Sequence, residues 1–148
     1  MDKNSERFTL DVLAKHNALT LATNREDGWP QATTVGYVNE GLTIYVMTFP
    51  EAQKVANIRR DPRVSLTVDS EESDWGRIKG LSIAATAEFV TDAGEIQHAI
   101  HLMIEKFPQI KEYPQPDPSE IVVLKLTPKI VSILNYEKGF GHTELVEA

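Results

Sequence analysis

Hydrophobic and polar positions recur along this chain with two different periods, and each change of period marks an element boundary. In residues 4–15, Phe8, Val12 and Leu13 fall on one side at helical spacing, and Ser5 stands where a cap belongs. This helix is expected to cover one end of whatever the strands build. Period two takes over in residues 18–23, where Leu19 and Leu21 alternate with small or polar residues. The cluster Asn24-Arg-Glu-Asp-Gly-Trp-Pro30 then supplies turn chemistry. Residues 31–38 and 42–48 read as a hairpin closed by Asn39-Glu40-Gly41, with Leu42, Ile44 and Val46 on one face.

A helix is expected over residues 49–60. Thr48-Phe-Pro-Glu51 matches a capping box, with Pro50 in the first turn, where a missing N–H costs little. Asp61-Pro62 ends it, and Val64, Leu66 and Val68 alternate in the next strand. After an acidic loop comes a long strand, residues 78–90, with Leu81, Ile83, Ala85, Ala87 and Phe89 on one face. Its small side chains suit a close approach by backbone or ligand. A second helix starts near Asp92, where Asp92-Ala-Gly-Glu95 is another capping box, and buries Ile96, Ile100, Met103 and Phe107. Residues 108–118 carry too many prolines for regular structure and read as an extended surface loop. Residues 121–126 and 130–136 are two strand-like runs separated by Thr127-Pro-Lys129, and a tail follows. The pattern is that of a β-rich α+β protein, an antiparallel barrel of six or seven strands with peripheral helices. Flat apolar faces and sheet edges on so small a barrel lead us to expect a homodimer.

The 148 residues, 41% of them hydrophobic, suit one domain, residues 1–148. No apolar run approaches the roughly 18–20 residues that span a bilayer, so no membrane partner and a cytoplasmic location are expected. With no cysteine, thiolate catalysis and disulfides are excluded, and redox chemistry would need a bound cofactor. A net charge of −7 argues against nucleic acid, because neutralising phosphates takes a basic face.

Candidate chemistry concentrates in residues 27–69. The start of the helix after Met47 offers unpaired N–H groups and a positive dipole end, with Lys54 adding a full charge, Thr48 a hydroxyl, and Arg59, Arg60 and Arg63 a basic neighbourhood. Two readings stand open: Thr48 caps a helix and Lys54 is solvated, or both bind phosphate. The strand Gln31-Ala-Thr-Thr-Val-Gly-Tyr37 is rich in small and hydroxylated residues, suited to a flat heteroaromatic ring or to solvent. Trp29 and Trp75 stand in turn and loop, where they stack on a ligand or fill a dimer contact. His98 and His101, with Glu105 beyond, have a spacing that can gather metal ligands, yet they share a polar face that ordinarily meets water, and no metal is expected. His142, in Gly-Phe-Gly-His at the end of a strand, is a titratable group beside flexible glycines, and a disordered tail is expected there. No Walker loop, Gly-x-Gly-x-x-Gly or Ser-His-Asp spacing is present.

The order of a Gly-x-Pro turn (Gly28, Pro30), a strand, Met47-Thr48, Lys54 and Asp61-Pro-Arg-Val-Ser-Leu66 resembles the central block of the pyridoxamine 5′-phosphate oxidase-like split-barrel family. The resemblance implies a homodimer that holds FMN at the subunit interface. Ala32, Thr33, Thr34 and Val35 would line the isoalloxazine and ribityl chain, Met47 and Thr48 the phosphate end, and Gln53 and Lys54 the phosphate-binding pair. Two departures stand out: the family's flavin oxidases carry basic residues where this chain has Ala32 and Gln53. The arginine- and histidine-bearing tail that grips substrate in true pyridoxamine phosphate oxidases is also missing. The implied function is an FMN-binding oxidoreductase that passes electrons from a reduced nicotinamide to a small acceptor. The alternatives are a deazaflavin-dependent reductase and a non-catalytic flavin- or haem-binding protein with His142 as ligand.

Overall fold

The computed structural model describes residues 1–148. The chain runs α1 (Lys3–Lys15), β1 (Ala18–Asn24), β2 (Pro30–Gly36), β3 (Val38–Glu40), β4 (Thr43–Thr48), α2 (Gln53–Arg60), β5 (Arg63–Val68), β6 (Lys79–Phe89), α3 (Ala93–Lys106), β7 (Val122–Asn135) and β8 (Thr143–Glu147). The strands pair in the order β2-β1-β5-β6-β7-β4-β3, with β8 added against β7. Every pairing is antiparallel. Strands β2 and β3 stand at opposite ends of this order, yet Tyr37 alone separates them in sequence. The two ends of the sheet are therefore drawn together and it curls into a half-barrel. Along one edge of β7, Val122–Leu126 faces β4 and Ile130–Leu134 faces β8. The barrel splits between those two partners.

Period-two alternation sends one set of side chains inward. Leu21, Leu66, Ile83 and Val131 are successive cross-strand partners, all buried in a core cluster of 19 residues. Each such side chain contributes about 1.5–3 kcal/mol on leaving water. Helix α1 closes one barrel end with Val12 and Leu13. The fully buried Tyr37 fixes it there by donating its hydroxyl to the Leu13 carbonyl at 2.6 Å. A second cluster, Val38, Tyr45, Ala99, Met103 and Val123, forms where α3 covers the outer side of β3, β4 and β7.

The structure corrects several expectations. Asp2, not Ser5, caps α1: its Oδ1 accepts the Ser5 N–H at 2.7 Å while Ser5 is buried. The run 31–38 is two strands, broken at Tyr37 where the chain crosses from one sheet end to the other. Helix α2 begins at Gln53, not Phe49, and the Thr48-Glu51 capping box does not form. Thr48 is the last residue of β4, paired with Val122, and its extended backbone cannot also start a helix. A turn closed from the Ala52 N–H to the Phe49 carbonyl at 3.1 Å intervenes. At α3 the cap is as expected, Asp92 accepting from the Glu95 N–H at 2.9 Å. The Glu95 carboxylate instead takes the Tyr45 hydroxyl at 2.7 Å and Lys125 at 3.0 Å. Residues 121–136 hold one strand, not two, because β7 passes Pro128 by a bulge: Ala84 faces Ile130, Ala85 faces Pro128, and Lys129 is the extra residue. The proline-rich loop contains two short 3₁₀ segments, Pro108–Glu112 and Pro118–Glu120. The tail folds back as an eighth strand rather than trailing free.

Candidate functional site

On the outer face, the alternate residues in the middle of β2, β1, β5 and β6 are short. The register places Thr34, Thr20, Thr67, Ser82 and Ser132 side by side across β2, β1, β5, β6 and β7. The next row is Ala32, Ala22, Ser65, Ala84 and Ile130. Five strands at about 4.8 Å spacing make this platform about 20 Å across. Of the four candidate ring contacts, Ala32 and Thr34 stand exposed on it, whereas Thr33 and Val35 are half-buried on the opposite, inner side. The Thr33 hydroxyl is buried without a hydrogen-bond partner. Because side chains alternate, a planar ligand on the outer face meets the Ala32 and Thr34 side chains and only the backbone of Thr33 and Val35. One edge of β2 has no neighbouring strand, which leaves alternate N–H and C=O groups there available to a ligand.

Helix α2 is held against β1 and the start of β2 by a buried amide. Asn57, fully inaccessible, donates to Thr23 Oγ1 at 2.9 Å and to Gln31 Oε1 at 3.2 Å, and accepts from Gln53 Nε2 at 2.9 Å. Gln53 is thus committed within the chain. The neighbouring cations are largely committed too. Arg63 forms a two-point pair with Asp61, whose carboxyl it holds well below the usual carboxylate range. Arg60 donates to the Asn24 carbonyl, and Arg59 stacks on the Phe89 ring at 4.3 Å. Lys54, half-buried, has no ion-pair or hydrogen-bond partner in the chain, and neither has the Thr48 hydroxyl. The short side chains of the platform leave room for a flat ring, Lys54 is an uncommitted cation on α2, and Thr48 lines an apolar cavity with Met47, Ile100 and Met103.

Other candidates are brought elsewhere. His98 lies 2.9 Å from Glu40 and His101 2.9 Å from Glu105, so the two histidines do not converge. No group of three or more histidine, aspartate or glutamate side chains is placed to hold a metal ion. His142 Nε2 lies 2.8 Å from Glu144 Oε1 at the start of β8. Trp75 packs at 6.1 Å on Phe140, which meets Tyr136 edge-on at 5.5 Å, and Trp29 is exposed. Two features escaped sequence reasoning. The Thr/Ser row is encoded as short residues at the outward positions in the middle of β1, β5 and β6, and Asn57 as an asparagine on the apolar side of α2 beside Val55 and Ile58. Met47 packs under α3 in the second core cluster.

A half-barrel sheet with a short-residue outer face and a helix corner beside it defines a class of split-barrel proteins. The chain belongs to the pyridoxamine 5′-phosphate oxidase family, whose model matches residues 6–135. General stress protein 26 of Bacillus subtilis is 26% identical over 127 residues, 85% of each chain. A heme binding protein from Mycobacterium smegmatis superposes at TM-score 0.81 with 25% identity, covering 99% of this chain and 59% of its own. This chain therefore spans about three fifths of that protein. HutZ, the heme storage protein of Vibrio cholerae, superposes at TM-score 0.68 with 22% identity over 84% of this chain and 89% of that one. The last likeness is one of fold alone. No helix is long and apolar enough to cross a membrane.

Proposed function

We propose that this protein is an FMN-binding oxidoreductase, working as a homodimer with the flavin on the outer face of β2 at the subunit interface. The observation that carries the reading is the exposed short-residue platform with Ala32 and Thr34 at its edge, in a chain whose Lys54, at the start of α2, is an uncommitted cation. Bound there, a flavin supplies electron transfer between a reduced nicotinamide and a small acceptor. The chain's part is to position it. Ala32 and Thr34 let a ring approach the backbone, the free edge of β2 offers hydrogen bonds to it, and Lys54 and Thr48 face its phosphate. With Gln53 tied to Asn57, the phosphate is held by fewer charges than in the family's flavin oxidases. No side chain is required as acid or base. The same platform accommodates the ring of a deazaflavin coenzyme, which differs from that of FMN in electron chemistry rather than in outline.

A second reading, haem binding without catalysis, is supported by the similarity to the M. smegmatis protein and by His142, which is only partly exposed and oriented by Glu144. Absorbance of the purified protein separates the two. FMN titration should give a saturable flavin spectrum that Lys54→Ala weakens by about tenfold, the worth of one charge-assisted contact. A Soret band that His142→Ala abolishes, with no response to FMN, would sink the flavin reading in favour of haem. A response only to deazaflavin would select that coenzyme.

A further inference from the structure

Away from the platform, a cleft of about 270 Å³ opens between α3 and the strands β6 and β7. Its walls are apolar: Phe89 and Val90 at the end of β6, Ile96 and Ile100 on α3, and Ile121 and Val122 at the start of β7. Thr91 and Gln97 are its uncharged polar residues, and Arg59 is the one charged residue that borders it. Arg59 is exposed, aligned over Phe89 at 4.3 Å, and paired with no carboxylate. Arg59 thus presents an unpaired guanidinium at the lip of an apolar cleft. A neutral hydrocarbon would fill the walls and leave Arg59 unused, and a cation would be repelled. An anion without an apolar part would gain nothing from the isoleucines.

We propose that this cleft binds a small aliphatic carboxylate, with its chain on Ile96, Ile100 and Ile121 and its carboxylate on Arg59. The volume is slightly below the roughly 300–1,000 Å³ of drug-sized ligand pockets, which selects a short or medium chain. A longer chain would continue past Ile100, Pro118 and Ile121, which also wall an adjoining apolar cavity of about 260 Å³. Arg59 aside, the cleft itself uses none of the residues assigned to the flavin, whereas the adjoining cavity is walled in part by Met47 and Thr48, and the cleft is tested without flavin.

The experiment is titration of the purified full-length protein with octanoate, octanol and acetate, followed by calorimetry and by methyl NMR of Ile96, Ile100 and Ile121. Octanoate should shift all three isoleucine methyls saturably, octanol should bind about fivefold more weakly, as expected for a pair on an exposed cation, and acetate should not shift them. Arg59→Gln should reduce octanoate binding to the level of octanol and leave octanol binding unchanged. Should that variant fail to fold, Gln97→Glu, at an exposed position on the cleft wall, should weaken octanoate at least as much by placing a like charge beside it. Equal binding of octanoate and octanol, or no response of octanoate affinity to either variant, would overturn the proposal. Methyl shifts that follow protein concentration rather than octanoate would also overturn it, and would mark the face as a contact between two copies.

Discussion

The two faces of the same strands obey different rules. Inside, Leu21, Leu66, Ile83 and Val131 pack across the sheet, and outside, one residue along each strand, the row is Thr20, Thr67, Ser82 and Ser132. Where α3 covers the outside, the residues become large again, as at Val38, Tyr45 and Val123. Water exclusion explains the inner face and the patch under α3. It does not explain the alanines of the uncovered outer face, Ala22, Ala32 and Ala84, because strands favour threonine and disfavour alanine. On the proposed reading, short side chains there serve something flat that comes close to the backbone. The uncovered face is therefore where function is to be sought, and the covered faces are where stability lies.

Ile83→Ala should cost about 3 kcal/mol in chemical denaturation through lost burial and a cavity, whereas Ser82→Ala, the next residue but on the other face, should stay within about 0.5 kcal/mol. Equal costs would erase the contrast between the faces. Asn57→Ala, at the polar end of the inner face, should cost about 2 kcal/mol because it strands the buried Thr23 hydroxyl and frees α2. Thr33→Val should stabilise by about 1 kcal/mol, since its inward hydroxyl is buried without a partner. A loss of FMN affinity in that variant would show that the hydroxyl serves the ligand after all. Asp92→Ala should cost about 1 kcal/mol as a lost cap, whereas Thr48→Ala should cost almost nothing, since Thr48 caps no helix. Any effect of Thr48→Ala on FMN affinity then reports binding alone.

Under α3, burial and the hydrogen bond to Glu95 push the Tyr45 hydroxyl up to about 12. The folded protein keeps that proton while the unfolded chain loses it near pH 10, so stability is intact below about pH 10 and declines as pH rises towards 12. Tyr45→Phe should remove this part of the alkaline loss in melts recorded from about pH 8 to about pH 12. An unchanged alkaline slope would place the titrating group elsewhere.

Much of this was legible in the chain. The alternation of Val64, Leu66 and Val68 marked the inner face of β5, and the Asp92 cap and the helix behind it followed from local chemistry. The Thr48-Phe-Pro-Glu51 motif misled because a sheet partner, Val122, holds Thr48 extended. Pro128 read as a break because the bulge that absorbs it depends on β6. Tyr37 looked like one more strand residue, although the chain there passes between the two ends of the sheet. Residues of the candidate site were named from their order in the chain, but their facing was not. Only the register sends Ala32 and Thr34 out and Thr33 and Val35 in, and only packing binds Gln53 to Asn57.

The amino-acid sequence by itself determined the period of each element, the inventory of small, hydroxylated and basic residues, and membership of a family, because these depend on neighbours a few residues away. The tertiary structure decided which of those residues share a surface, which cations are already paired, and where the sheet folds on itself. Those outcomes rest on pairings between residues distant in sequence, as in the row that joins Thr20 to Ser132 through three successive strand pairings.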